Sequence, residues 1–574
     1  MHKQIARREV ANISQLSDQL HPILSAIYSA RGITGAEQLL QSADKMHKPQ
    51  QLKGLDEACQ LLFSAIKDNK RIIVVGDFDA DGATSTALMM DGLKLLGSTN
   101  HDFLVPNRFE FGYGLTPQIS EMAVTQKAAE VLVTVDNGIS CIAGVDKAKE
   151  LGCTVIVTDH HLPGQSTPNA DAIVNPNQHG CTFPSKALAG VGVAFYVMVA
   201  LRQEMRANNW FEQRQIAEPN LAQLLDIVAL GTVADVVSLD QNNRILVAQG
   251  LKRIRAGATR PGIQALIEIS GKNQKKLTAS DFGFGLGPRI NAAGRLDDMS
   301  LGIKCLLADD LYQARMIAAE LDDLNKTRRE IEQGMQSEAE NVLKQLNVNQ
   351  DNLPPAFALY HQDWHQGVIG IVAGRLKEKF HRPTIVFAAG DNGEIKGSAR
   401  SIPGLHIRDL LENIDSQHPG LILKFGGHAM AAGLSIQHTD FERFQQLFSE
   451  MAEQWLTADM LENVVLSDGE LTNSEFNLDF TQLLKDSGPW GQNFPEPVFD
   501  NHFQLIQQRI VGEKHLKMVV QHGDLAIDAI AFNVDLSKWP NPNCQHVHLA
   551  YKLDINEFRG RQSLQLLVDY IQAD

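Results

Sequence analysis

Short, uninterrupted apolar runs alternate with helix-length stretches through the first half of the chain. RIIVVGDFD (71–79) leads into a Thr-, Ala-, Leu- and Met-rich helical stretch from Ser85 to Leu96. VLVTVDNG (131–138) leads into VDKAKELG, a helix closed by Gly152, and TVIVTDHH (154–161) and AIVNP (172–176) follow. Strands alternating with helices of this length predict βαβ units and a mostly parallel sheet. The runs are apolar at successive positions rather than alternate ones, as expected when helices cover both faces. LAQLLDIVALGTVADVVSL (221–239) reads as a helix giving way to a polar-tipped turn.

Residues 308–346 carry Leu321, Leu324, Ile331, Met335, Val342 and Leu343 at roughly helical spacing, with Glu, Lys and Arg between them. The stripe is too short and irregular for a coiled coil and predicts a helix joining two domains, its outer face solvated. LPPAFALYHQDWH (353–365) restarts strand-like sequence, and a second α/β unit runs to about Met451. Beyond the turn-rich GPWGQNFPEPVF (488–499), five or so short strands in roughly 75 residues predict a small barrel or sandwich. The fold class expected is therefore α/β: a parallel-sheet domain with an N-terminal extension over 1–305 and a connecting helix over 306–350. A smaller α/β domain over 351–455 and an OB-like β-barrel over 456–574 complete it.

Composition adds limits. At 574 residues the chain exceeds what one core supports. No stretch approaches the roughly 18 uncharged apolar residues of a membrane span. MHKQIARREV has no apolar signal core, so a cytoplasmic chain without membrane contact is expected. Six cysteines without CxxC spacing argue against a disulfide framework or a thiolate zinc site. The net charge of −16 disfavours nonspecific coating of nucleic acid, yet leaves room for a narrow basic groove on an acidic body.

The acids are not scattered. RIIVV runs into Asp77, Asp79 and Asp81; VLVTV into Asp136; TVIVT into Asp159, His160 and His161; and DIVALGTVA into Asp235. In an open parallel sheet, ligands bind beyond the carboxyl ends of the strands. If the strands are neighbours, these groups converge on one edge, where like charges repel and some pKa values rise. Divalent cations relieve that repulsion; carboxylate with imidazole suits manganese, and the ligand count suits two ions, the arrangement that hydrolyses phosphate esters in line. Singly, each motif has a plainer reading: DxDxD as a solvated or calcium-like loop, VDNG as a common turn. Together, each at the end of an apolar run, they point to a site. His160 and His161 would face opposite sides of a regular strand, so both serve one site only where the strand breaks into a loop.

GDFDADG, VDNG, TDHH and VAD, in this order and spacing, resemble the DHH phosphoesterase superfamily, and over essentially its whole length the chain is similar to that superfamily's bacterial single-strand-specific DNA exonucleases. The resemblance implies metal ligation by Asp79, Asp81, Asp136, His160, His161 and Asp235, with Asp77 and Asp159 lining or supporting the centre. It implies that Asp136 bridges the ions, Mn²⁺ or Mg²⁺. Many members carry a His four residues before the second acid of the first motif; here Val75 stands there, and Asp77 is expected to compensate. It further implies 5′→3′ exonuclease action on single-stranded DNA in recombination and repair. Single-stranded-DNA-binding protein and recombination helicases are the partners it suggests.

KFGGHAMAAG (424–433) places two glycines, Gly426 and Gly427, and His428 before small residues that read as a helix, whose exposed N–H groups would seat a phosphate. His428 could then donate to the scissile phosphate; the plainer reading is a helix-packing turn. The segment also resembles the DHHA1 domain that accompanies DHH domains. Ser398 and Arg400 of GSARS, with His365 and Arg375 of WHQGVIGIVAGRL, are then expected to contact substrate phosphates. Arg289, Asn291 and Arg295 of GFGLGPRINAAGRL, with Arg108, could bind backbone phosphates, while Phe109, Phe111 and Tyr113 either stack bases or pack in the core. Lys514, Lys517, Arg559 and Arg561 are candidate strand contacts on the barrel. Two rival readings are a phosphoesterase of short oligonucleotides or cyclic dinucleotides and a non-catalytic single-strand-binding module. The extra β domain disfavours the first, and the filled ligand positions disfavour the second.

Overall fold

The apolar runs are strands of one sheet. The computed structural model describes residues 3–10, 16, 20–107, 110–112, 114–345 and 353–573. It orders the strands His101–Leu104, Ile72–Gly76, Val131–Val135, Thr154–Thr158 and Ala172–Val174, all parallel. The edge strand His101–Leu104 leaves little mark in the pattern, because HDFL is short, half polar and only half-buried. Every residue of Ile72–Gly76 and Val131–Val135 is buried. Ile73, Val75, Leu132, Val155 and Val157 share a core with Leu115, Ile119 and Val145 from the covering segments. Each such side chain contributes roughly 1.5–3 kcal/mol by leaving water, and together they pin the strand register. In that register Gly76 pairs with Val135, and Val135 with Thr158.

Two compact units divide the chain: Glu9–Asn325 with Glu475–Pro497, and Met1–Arg8 with Lys326–Ser474 and Val498–Asp574. The contiguous blocks expected from sequence are thus interleaved in two places. Residues 475–497 belong to the first unit because Trp490 and Phe494 stack with Tyr28, while Arg244 lies over the Phe494 ring, 4.3 Å from its centre. The N-terminal strand Gln4–Arg7 belongs to the second, pairing in parallel with Val464–Ser467.

Helix Leu311–Gln345 runs across the boundary between the two units in sequence, as its charged periodicity predicts. In the second unit a mixed sheet takes the order Lys424–Gly427, Ala431–Gln437, Glu394–Arg400, Thr384–Ala389, Phe357–Tyr360. KFGGHAMAAG is therefore an antiparallel hairpin, not a turn into a helix. Its small residues mimic a helix-packing face, but Ala432, Leu434 and Ile436 are buried at every second position, the period of a strand. The same unit ends in a closed five-stranded barrel: Phe499–Val511, His515–His522, Leu525–Ala531, His546–Phe558 and Arg561–Ala573. No helix among the described residues is long and apolar enough to cross a membrane.

Candidate metal centre

Register carries the acids to one place. Asp77, Asp136 and Asp159 each stand one residue beyond the paired Gly76, Val135 and Thr158, so three adjacent strands present a carboxylate at the same level. Asp79 and Asp81 follow on the loop and first turn of helix Ala80–Leu95. Asp235 arrives differently: it caps the C-terminus of helix Leu225–Ala234 rather than ending a strand. Three trios of ligand atoms result, Asp77/Asp79/Asp136, Asp136/His160/His161 and Asp81/His160/Asp235, with the atoms of each within 4.8 Å of one another. Asp136 and His160 are shared between trios. His160 Nε2 lies 3.1 Å from Asp136 Oδ1, 3.4 Å from Asp235 Oδ2 and 3.9 Å from Asp81 Oδ2. The strand does break after Thr158, and the two imidazole rings sit on one side, 4.5 Å apart.

The supports are specific. Asp159 accepts the N–H groups of His160 and His161 and the Nδ1–H of His161 (2.7 Å) on Oδ1, and the Ile139 N–H on Oδ2. Both oxygens of Asp159 are thus engaged by donors, and it enters none of the trios among the described residues. In a neutral His161 imidazole the hydrogen bond to Asp159 would keep the proton on Nδ1 and leave Nε2 as the atom that can ligate. Asp81 accepts Gly190 N–H (2.5 Å) and Val191 N–H (3.0 Å), so it caps helix Gly190–Ala207, favoured by that helix's positive end. Asp79 Oδ1 caps its own helix through Asp81 N–H and Gly82 N–H. Asp136 has φ +61°, a left-handed conformation that Asp tolerates, and a side chain on Gly190 would strike its Cβ at 2.6 Å. Val75 is fully buried in the core, and Asp77 joins a trio.

Electrostatics follow from burial. Burial and then Asp79 push Asp81 up to about 7. Asp136 and Asp235 are raised well above the usual carboxylate range by burial and then by neighbouring carboxylates. Burial, then the charge of His161, lowers His160 to about 4. For His161 burial acts downward, but the hydrogen bond and charge of Asp159 outweigh it and raise the imidazole to about 9. His160 Nε2 and Asp235 Oδ2 are buried without a hydrogen bond among the described residues. Carboxylates that repel one another around an unbonded imidazole nitrogen are a donor set suited to Mn²⁺ or Mg²⁺.

Several asparagines support the centre in roles that no motif assigned. Asn137 Nδ2 holds the carbonyls of Val75 and Val135, tying two strand ends together. Asn175 and Asn177, from the polar tip of AIVNPN, donate to the carbonyls of His161 and His160; the apolar-run-then-polar pattern could have flagged them. Asn291 accepts the Ala80 N–H (2.8 Å), so it fixes the acid-bearing helix. Arg289 is likewise turned inward: only 9% exposed, it donates to Asp322 and the Gly285 carbonyl. Both sit on helix Gly287–Leu296, which packs so closely that a side chain on Gly294 would meet the Phe78 carbonyl at 1.9 Å. Arg295 is half-buried in the last turn of that helix. Phe111 packs on the core beneath the sheet, and Arg108, Phe109 and Tyr113 lie outside the described residues.

In the second unit Ser398 and Arg400 share one face of strand Glu394–Arg400, 3.1 Å apart. Helix Ile369–Phe380 begins against them, and Gly370 permits the approach, since a side chain there would meet both at 2.9 Å. Burial lowers the Arg400 pKa, and no carboxylate pairs with it among the described residues. Gly433 and Gly426 extend the row of Ser398 across the sheet and leave its backbone bare, with exposed His428 at the hairpin turn. His365 precedes the helix and accepts the Gly367 N–H on Nδ1. Arg375 instead pairs with Glu332 (3.0 Å) and Glu378, away from this row. On the barrel, Lys514 and Arg561 are exposed, Arg559 lies over Phe558, and Lys517 is 3.7 Å from Asp528.

Comparison with known proteins agrees with this layout. The DHH family, N-terminal domain, matches residues 71–232, the DHHA1 domain 354–457 and the RecJ OB domain 467–570. The chain is 56% identical over 570 residues to the single-stranded-DNA-specific exonuclease RecJ of Escherichia coli K12, spanning 99% of each. It is 57% identical over 571 residues to that of Salmonella typhimurium, again spanning 99% of each. A crystal structure of RecJ from Thermus thermophilus in complex with Mn²⁺ is 28% identical with a TM-score of 0.79, covering 100% of this chain and 79% of that one. Full-length identity above half, three matched domains in order and a shared fold make one conclusion: the chain belongs to the RecJ family of DHH proteins.

Proposed function

We propose that the chain is a single-strand-specific DNA exonuclease that hydrolyses phosphodiester bonds in the 5′→3′ direction and releases 5′-mononucleotides during recombination and repair. The observation that carries this reading is the convergence of Asp77, Asp79, Asp81, Asp136, His160, His161 and Asp235 into three overlapping trios. Asp136, shared by two trios, would serve both ions in this reading, and Asp159 would keep the His161 proton on Nδ1. Held by these residues, two divalent ions would supply Lewis acidity toward the phosphate and lower the pKa of water. Ser398, Arg400 and the bare Gly426–Gly433 row hold the sugar-phosphate backbone, largely without reading sequence. His428, exposed at the hairpin turn, is in this reading a donor to a phosphate of the strand. Lys514, Arg559 and Arg561 of the barrel add contacts to the strand.

The functional division we read is a DHH domain over 1–305, a connecting helix over 306–350, a DHHA1 domain over 351–455 and an OB-like domain over 456–574, with the two exchanges described above. The setting is cytoplasmic, with single-stranded-DNA-binding protein and recombination helicases as partners. The test is digestion of end-labelled single-stranded DNA, each end blocked in turn, in Mg²⁺ and in Mn²⁺. Release of mononucleotides that stops when the 5′ end is blocked is the expected result. Cleavage confined to dinucleotides would favour a short-oligonucleotide phosphoesterase instead, and strand binding without release would favour a non-catalytic module.

A further inference from the structure

Two large apolar side chains directly follow the groups of the centre and remain in solvent. Leu162, after His161, is 61% exposed, and Val236, after Asp235, is 62% exposed. A third, Phe284, is 80% exposed on the single π-helical turn Phe282–Leu286. That turn packs on the helix ending in Asp235: a methyl built on Gly283 would lie 3.7 Å from Val233 Cγ1, and one on Gly287 3.1 Å from Ala234 Cβ. Isolated exposed apolar residues are ordinary. Exposed apolar residues that directly follow two groups of a charged centre, with a third on a turn packed against the same helix end, are not.

Val236 is the sharper case. Its φ is +61°, and its N–H closes the helix onto the Val233 carbonyl. This is the position where helices usually stop on glycine, and a β-branched residue in the left-handed region is strained. The fold gains little from the side chain, which is mostly out in water. Strain kept without burial is explained when the side chain serves something outside the fold. The π turn makes the same argument for Phe284, since such turns gather at functional sites and glycines on both sides leave the ring uncovered.

We propose that Val236 and Phe284 form an apolar ledge beside the metal centre that receives the face of a nucleobase near the strand end, with Leu162 bounding the centre on the histidine side. The inference rests on the exonuclease reading above. Every base offers a π-face, so the ledge positions the strand without selecting sequence. A protein partner seated on the same residues is the competing outcome.

The test compares Val236→Gly, Phe284→Ala and Phe284→Trp on a single strand and on the same strand with abasic residues at its 5′ end. Val236→Gly is expected to melt at the same or a higher temperature, because strain is relieved. Val236→Gly and Phe284→Ala should each raise KM roughly tenfold on the ordinary strand, the scale of a lost stacking contact. Phe284→Trp should restore it, and kcat should stay within about twofold. On the abasic strand the wild-type protein should already show the raised KM and the variants no further loss. Wild-type KM in the variants, or an equal loss on both strands, overturns the ledge. A 2-aminopurine at the strand end, bound in Ca²⁺, gives a readout that does not need turnover. Quenching that Phe284→Ala abolishes supports the ledge even if no nucleotide is released, an outcome that would sink only the exonuclease reading. Quenching unchanged in Phe284→Ala refutes the ledge.

Discussion

Two groups of buried acids sit in the same unit and are treated differently by the fold. Asp226, 1% exposed, accepts the Thr259 hydroxyl and the Arg260 N–H, and the Arg260 guanidinium bridges it to Asp91 at 2.8 Å. Burial alone would lower the Arg260 pKa, but the two carboxylates outweigh it and raise it. Asp136 is as deeply buried, yet the charges that shift it are other carboxylates, and they push in the same direction as burial. The difference teaches that burial of an acid does not mark a site. What marks it is a buried acid whose neighbours make its charge more costly, a debt that an added cation can settle.

The comparison can be broken most decisively at Asp136. Asp136→Asn keeps a residue that tolerates φ +61° and removes one repelling charge. Nucleotide release should fall by a factor on the order of 10³ or more, while the thermal midpoint of the metal-free protein holds or rises. A marked drop in that midpoint would mean that Asp136 is structural after all. At the other group the signs reverse. Arg260→Met strands Asp226 and should cost about 3–5 kcal/mol in denaturant unfolding. Adding Asp226→Leu should recover most of it, and metal-dependent stabilisation should be unaffected throughout.

The smallest effect is a pH dependence. Because Asp81 is raised from 3.8 to about 7, and Asp136 and Asp235 are raised as well, the folded state holds protons that the unfolded chain releases. Their contribution to the metal-free protein is complete below about pH 4 and is lost as pH rises through about 7. Protons and Mn²⁺ compete for the same oxygens, so the melting shift caused by Mn²⁺ should grow between pH 5 and pH 8. A shift that is flat across that range would show that the ion binds elsewhere.

Much of the site was legible because its chemistry is local. An acid that ends an apolar run is placed by the strand before it, so GDFDAD, VDNG and TDHH announced one edge of a parallel sheet. Roles that depend on a partner far along the chain were not legible. Arg289 and Asn291 look like phosphate contacts in sequence, and only the fold shows that they also engage Asp322 and Ala80. The sequence does not show that Asp159 holds the backbone and imidazole of the histidines beside it and the Ile139 N–H. The small residues of 424–433 fit a helix as well as a strand, and only pairing with Glu394–Arg400 decides between them.

The sequence by itself determined the strand-and-helix order, the identity of the acids and histidines, and the three-domain layout, since these rest on local periodicity and residue chemistry. Tertiary structure decided the rest. It set the register that levels Asp77, Asp136 and Asp159, and brought Asp235 in from a helix end. Those outcomes depend on which distant hydrogen-bond donor or carboxylate comes within about 3 Å, a distance fixed by packing and not by any stretch of residues alone.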